Sequence, residues 1–105
     1  MEQLKEIISS SLKSMGLNLE ELILFGSRAR SNFMDESDWD ILVVVRESIL
    51  PEERKDVWYG VYRKLHEKFR DSSFDVIIKS KRDFEYEGKI PNTISNEAKL
   101  EGIRL

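Results

Sequence analysis

An uninterrupted apolar run, Ile41–Val45, constrains the fold of this chain more than any other feature. It follows directly after two closely spaced carboxylates, Asp38 and Asp40. All of its residues except Leu42 are β-branched, and a short run of this kind predicts a strand that is buried on both faces. We therefore predict a strand over residues 38–45, in a sheet with helices packed against it.

Apolar periodicity divides the rest of the chain into alternating helices and strands. Helical spacing of apolar residues ends at Gly16 and again at Gly102, and Pro51 suits the first turn of a helix. We predict helices over 2–15, 51–70 and 93–100, strands over 21–25 and 73–79, short helical turns after Ser27 and Ser80, and an edge strand at 103–105. This order predicts a single α/β (α+β) domain over residues 1–105, with a small mixed β-sheet packed with helices.

Composition excludes several classes of protein. The chain has 105 residues, of which 40% are hydrophobic and 35% charged, and its formal net charge is −3. An acidic chain of this kind is not expected to bind DNA directly, since DNA-binding proteins carry a basic surface. The absence of cysteine and the shortness of the longest apolar run favour a cytoplasmic protein without a membrane segment.

Three carboxylates converge in the predicted sheet. Residues two apart in a strand project from the same face, so Asp38 and Asp40 share one face and Trp39 points to the other. Asp75 lies inside the third predicted strand and joins them if that strand is a neighbour. Clustered carboxylates need a nearby positive charge, and without cysteine the expected partner is a hard cation, Mg²⁺ or Mn²⁺.

The turn at Gly26 and Ser27 is suited to an anion. A glycine between a strand and a helix lets the backbone approach a ligand, and a helix start presents free N–H groups to it. Arg28 and Arg30 could each add a guanidinium or simply lie in solvent. An anion site beside an acidic cluster is typical of phosphoryl or nucleotidyl transfer.

The spacing of these residues resembles the signature of a known superfamily. The sequence GSRAR at 26–30 is followed, seven residues later, by DWD at 38–40. This pattern resembles the DNA polymerase β-like nucleotidyltransferases, and the short chain resembles their minimal MNT-domain branch, the antitoxins of HEPN/MNT pairs. The sequence FDVI at 74–77 matches the strand of the third carboxylate in that family.

The resemblance implies a role for each residue of the motif. Asp38 and Asp40 would hold the metal that carries the nucleoside triphosphate, and Asp75 would help hold a second ion and activate the acceptor hydroxyl. Gly26 and Ser27 would grip the phosphates. The implied reaction is transfer of AMP from ATP to a tyrosine of a HEPN toxin, within a homo- or hetero-oligomer.

The sequence leaves one alternative function open and excludes two classes of protein. One alternative is an antitoxin that neutralises its partner by contact, with weak chemistry. A receiver domain is excluded because the first strand ends in Gly26-Ser27 rather than in acidic residues. A P-loop nucleotide-binding protein is excluded because no P-loop motif occurs.

Two positions depart from the family pattern: Ser31 replaces a common glycine, and Trp39 replaces an aliphatic residue.

Four further interpretations concern residues outside the motif. Trp58 and Tyr62 fall at helical spacing with apolar neighbours and are predicted to lie in the core, whereas Tyr59 is predicted to be exposed. His66 is predicted to lie on the outer side of the same helix. The basic run Lys79–Arg82 is predicted to be a solvated turn.

Overall fold

The computed structural model describes residues 2–25, 39–70, 72–91 and 93–105. Its elements, in chain order, are helix α1 (Glu2–Ser14), strands β1 (Leu19–Phe25) and β2 (Trp39–Val45), a 3₁₀ turn (Pro51–Glu53), helix α2 (Arg54–Lys68), strand β3 (Phe74–Ser80), helices α3 (Lys81–Glu87) and α4 (Ile94–Glu101), and strand β4 (Ile103–Arg104).

The predicted elements that fall on these residues are confirmed, with small shifts of their ends. β1 begins at Leu19, two residues earlier than predicted, and α2 follows a 3₁₀ turn that opens at Pro51. Gly16 adopts φ 78°, a left-handed conformation that suits glycine just after a helix. The Ser80 hydroxyl caps α3 by accepting from the Asp83 amide at 3.2 Å. The turn predicted after Ser27 lies outside the described residues.

The four strands form one mixed sheet in the order β3-β2-β1-β4. β1 is antiparallel to both β2 and β4, whereas β2 and β3 are parallel. Parallel neighbours need a crossover, and α2 provides it. These directions bring the start of β2, the start of β3 and the end of β1 to one end of the sheet, which we call the Asp40 end.

Helices cover both faces of the sheet, as the buried run in β2 predicts. On one face α1 and α2 pack against the larger core; on the other, α3 and α4 pack against a smaller one. Alternate residues of β2 divide between the two: Ile41, Val43 and Val45 belong to the larger core. Leu42 and Val44 belong to the smaller core, and all five side chains have no exposed surface.

Close packing of the backbone requires a glycine at position 102, between α4 and β4. Gly102 follows α4 directly, and a Cβ atom there would overlap the side chain of Ile23 and the carbonyl oxygen of Ala98. The Gly102 amide itself donates to the Ala98 carbonyl at 2.8 Å. The missing side chain therefore lets β4 turn back against β1 immediately after the helix ends.

Two sequence interpretations of side-chain environment are wrong. Trp58 was predicted to be a core residue, but 38% of it is exposed because it lies on the flank of α2 at the edge of the sheet. Lys79–Arg82 is not a solvated turn: Lys79 is part of β3 and Lys81 opens α3. The Lys79 ammonium lies 3.0 Å from a carboxylate oxygen of Glu87.

Tyr59 and His66 are exposed, as predicted. Among the described helices, none is both long and apolar enough to cross a membrane.

Candidate active site

Asp40 and Asp75 occupy partner positions on neighbouring strands. The parallel register of β2 and β3 places Asp40 opposite Asp75, between the pairs Trp39–Phe74 and Ile41–Val76. Partner residues of parallel strands project from the same face, and neighbouring strands lie about 4.8 Å apart. The two carboxylates therefore stand side by side at the Asp40 end. Asp40 is half-buried and Asp75 is exposed.

The end of β1 adjoins this pair. Phe25, the last residue of β1, is the antiparallel partner of Asp40, so its side chain lies on the same face. It belongs to the smaller core, with Leu42 next along β2 and Ile77 next along β3. Asp40 and Asp75 thus lie at the margin of this apolar face. Helix α3, which covers the face, starts at the opposite end of the sheet, after Ser80.

Aromatic packing supports the same strands from the other face. The rings of Trp39 and Phe74 stack with centroids 6.4 Å apart. The ring centroids of Phe69 and Phe74 are 5.8 Å apart. The Trp39 amide donates to the Ser73 carbonyl at 2.9 Å. The hydrogen bonding between β2 and the chain of β3 therefore begins one residue before β3 itself. A cavity of about 140 Å³ lies beside these rings, on the side of the sheet away from the carboxylates. These contacts fix the backbone that carries Asp40 and Asp75.

The remaining residues of the predicted site lie outside the described residues. These are Asp38 and the four positions predicted to contact phosphate, Gly26, Ser27, Arg28 and Arg30. The structure therefore brings together Asp40 and Asp75, and it shows that the chain leaves β1 beside Asp40.

The paired carboxylates fit a hard divalent cation. Magnesium is commonly held by one or two carboxylates, with water and substrate phosphates completing its shell. Asp40 and Asp75 supply two such groups from neighbouring strands, and one of them is open to solvent. No group of three metal-binding side chains occurs within the described ranges, so a third protein ligand would come from outside them, where Asp38 lies.

Sequence reasoning missed one contact next to the site. The indole N–H of Trp58 donates to the carbonyl oxygen of Val76 at 2.9 Å, and Val76 directly follows Asp75. In the described part of the sheet β3 is an edge strand, so no strand there binds its outer carbonyl groups. Helical spacing indicates that Trp58 and Tyr62 are neighbours, but no sequence signal shows that α2 lies beside this edge.

Residues 2–103 match the family described as Polymerase beta, Nucleotidyltransferase. This match covers nearly the whole chain. The protein belongs to this family. Membership confirms the resemblance found in the sequence and identifies the mixed sheet with its two helical layers as the polymerase β-like nucleotidyltransferase fold.

Two individual proteins are also similar to this family member. A Methanocaldococcus jannaschii protein, named as a protein adenylyltransferase, is 37% identical over 57 residues. That match covers 54% of this chain, and it spans only about half of the relative, again 54%. A solved structure described as a toxin–antitoxin with AMP-PNP superposes with a TM-score of 0.54 at 19% identity, over 95% of this chain and 70% of that one. At this identity the likeness supports the fold.

Proposed function

We propose that this protein is a metal-dependent nucleotidyltransferase that moves AMP from ATP to a hydroxyl group of a partner protein. The observation that carries the proposal is the in-register pairing of Asp40 with Asp75 at the Asp40 end. Family membership supports the reaction type, and the name of the archaeal relative supports a protein acceptor. The toxin–antitoxin neighbour supports an antitoxin role. The resemblance in the sequence adds the acceptor that we propose, a tyrosine of a HEPN toxin.

Each proposed role follows from position and chemistry. Asp38 and Asp40 would hold the divalent ion that accompanies the triphosphate, and Asp75 would contribute to a second ion. When bound, such ions neutralise phosphate charge and favour departure of pyrophosphate. Gly26 and Ser27 would contact the phosphates, since each is suited to bind an anion. Such a reaction, which consumes ATP, fits the cytoplasmic location expected from the sequence.

The exposure of Asp75 suits it to receive a proton. In the proposed step the acceptor hydroxyl oxygen forms a bond to the α-phosphorus of ATP, and the bond between the α-phosphorus and the bridging oxygen breaks. Pyrophosphate leaves, and the hydroxyl proton passes to the Asp75 carboxylate. A large acceptor can reach Asp75 because its side chain is open to solvent.

Labelled ATP tests this proposal directly. The protein is incubated with Mg²⁺, ATP labelled on the α-phosphate and a co-purified HEPN partner, and the mass of the partner is measured. We expect the partner to gain one AMP group. Asp40→Asn and Asp75→Asn should abolish the gain, because an amide keeps the shape of the side chain but loses the charge that holds a cation. Asp56→Asn, an exposed position on α2, is the matched control.

Two results would contradict transfer. One is label from the γ-phosphate rather than the α-phosphate on the partner. The other is an unmodified partner that both Asp variants still neutralise, which would show instead an antitoxin that acts by contact alone.

A further inference from the structure

One face of α2 consists of aromatic and basic side chains only. Its residues recur at the three- and four-residue spacing that places side chains along one side of a helix. We call this face the α2 strip; its residues are Lys55, Trp58, Tyr59, Tyr62, Arg63 and His66. The buried side of α2 is a different one, formed by Val57, Val61 and Leu65.

Three rings of the strip stack on one another along the helix. Trp58 and Tyr62 have ring centroids 4.8 Å apart and planes inclined by 12°. Tyr62 and His66 are 5.9 Å apart, with planes inclined by 8°. The stacking covers one face of Trp58, one face of His66 and both faces of Tyr62, which is half-buried and also packs against the larger core. Tyr59 adds a ring that is 57% exposed.

The strip lies along the edge of the sheet that carries Asp75. Trp58 binds the Val76 carbonyl on the outer side of β3. From there α2 runs antiparallel to β3, so Tyr62 and then His66 follow towards the Asp40 end. A chain bound along this face would therefore run along the β3 edge to the end of the sheet where Asp75 lies, with Asp75 itself on the opposite face of β3.

The charge of the strip is opposite to that of the whole protein. Lys55 and Arg63 are exposed cations on a chain with a net charge of −3. The carboxylates of α2, Asp56 and Glu67, lie to one side of the strip on the helical wheel, and Glu67 accepts from Arg63 at 3.2 Å. Exposed aromatic and arginine side chains are also those that most often carry the binding energy of protein interfaces.

We propose that the α2 strip binds an acidic segment of the protein that carries the acceptor hydroxyl. The inference rests on the proposed function for the identity of the acceptor, and it adds the chemistry by which the acceptor is recognised. An acidic polypeptide matches the two cations and packs against ring edges. Single-stranded nucleic acid fits less well, since its bases need open ring faces for stacking and four of the six ring faces in this stack already contact a neighbouring ring.

A labelled copolymer of glutamate and tyrosine tests the strip by fluorescence anisotropy. We expect binding that weakens as salt is added, because exposed charges are screened. Lys55→Gln with Arg63→Gln should weaken it about fivefold at low salt. Lys64→Gln with Lys68→Gln is the matched control, because it removes the same charge from exposed positions of the same helix off the strip. Tyr59→Ala should also weaken binding without removing charge.

Several outcomes would overturn the proposal: no binding, equal binding of a lysine and tyrosine copolymer, equal losses in the test and control pairs, or tighter binding of oligouridylate. The last would identify a nucleic-acid surface. MgATP binding, measured on the same variants, separates this proposal from the proposed function. Asp75→Asn should no longer bind MgATP but should still bind the copolymer. The Lys55→Gln and Arg63→Gln double variant should bind the copolymer more weakly and bind MgATP as before.

Discussion

At the scale of single residues, carboxylates serve two different purposes at the two ends of β2. Asp40 and Asp75 occupy partner positions where β2 and β3 begin, at the end of the sheet that carries the candidate site. Glu47, just after β2 ends, instead accepts two hydrogen bonds from Asn18, from its amide at 2.7 Å and from its side-chain nitrogen at 2.6 Å. The first arrangement suits a ligand, and the second suits stability.

The Glu47 contact predicts a pH dependence. The hydrogen bond from the Asn18 side chain, followed by the one from its backbone, holds the pKa of the Glu47 carboxyl below its ordinary value of 4.5. A carboxyl with a lowered pKa stabilises the fold at every pH above its ordinary value, and loses this effect as the pH falls through the folded value. Glu47 should therefore stabilise the protein at neutral pH and cease to do so in acid.

Urea unfolding of Glu47→Gln measures this effect. The variant should unfold more easily than the original protein at pH 7, and the difference should shrink as the pH falls below 4.5. Glu52→Gln, an exposed carboxylate in the 3₁₀ turn, serves as the control. A difference that stays constant from pH 7 to pH 3 would show that the Glu47 charge is not involved.

At the scale of elements, β3 combines two demands that conflict. It carries Asp75, and among the described strands it is an edge strand with a neighbour on only one side. α2 compensates by packing against β3, and the Trp58 indole binds the outer carbonyl of Val76. The helix that makes the parallel crossover thus also holds the strand that carries the candidate catalytic carboxylate.

Trp58→Phe tests the contribution of this hydrogen bond. Phenylalanine keeps a ring that can stack on Tyr62 but cannot donate to Val76, so the free energy of unfolding should fall by about 1 kcal/mol. Amide exchange in β3 should become faster, because the edge of the strand is less protected. Tyr59→Phe, which changes a largely exposed ring of the same helix, should leave both measurements unchanged. Equal effects of the two variants would show that the indole N–H does not stabilise β3.

At the scale of the whole molecule, the sheet separates a site from its support. Both helical layers bury the middle of β2, while the paired carboxylates stand at the end of the sheet. The aromatic contacts around Trp39 lie on the opposite face, so they support the site without occupying it. A ligand held between strands at this end should stabilise the entire fold, because binding favours the folded state.

Thermal unfolding with ATP and Mg²⁺ checks this expectation. A ligand at a hundred times its Kd adds about 2.7 kcal/mol to the free energy of unfolding, which raises the Tm of a domain of this size by roughly 10 °C or more. ATP alone and Mg²⁺ alone should have smaller effects, since each needs the other at the paired carboxylates. Asp75→Asn should remove the increase while leaving the Tm without ligand nearly unchanged. An increase that persists in this variant would place the nucleotide elsewhere.

The sequence by itself determined the elements, since these depend on neighbours along the chain. The β-branched run of β2 predicted a strand buried on both faces, and Ser80 predicted the start of α3. Strand alternation also assigned Asp75 and Ile77 to one face of β3. The family motif predicted Asp38, Asp40 and Asp75 as site residues, and their catalytic roles remain predictions.

Tertiary structure alone decided which residues meet. Asp40 pairs with Asp75 only because α2 returns the chain to the start of β2, and a shift of one residue would turn Asp75 to the opposite face. Helical spacing placed Trp58 on a flank of α2, but whether that flank is buried depends on where the sheet ends. Lys79 likewise reads as part of a polar turn until it pairs with Val44 of β2, far away in the chain. Local patterns specify the elements, whereas register and edges arise from packing between residues far apart in the chain.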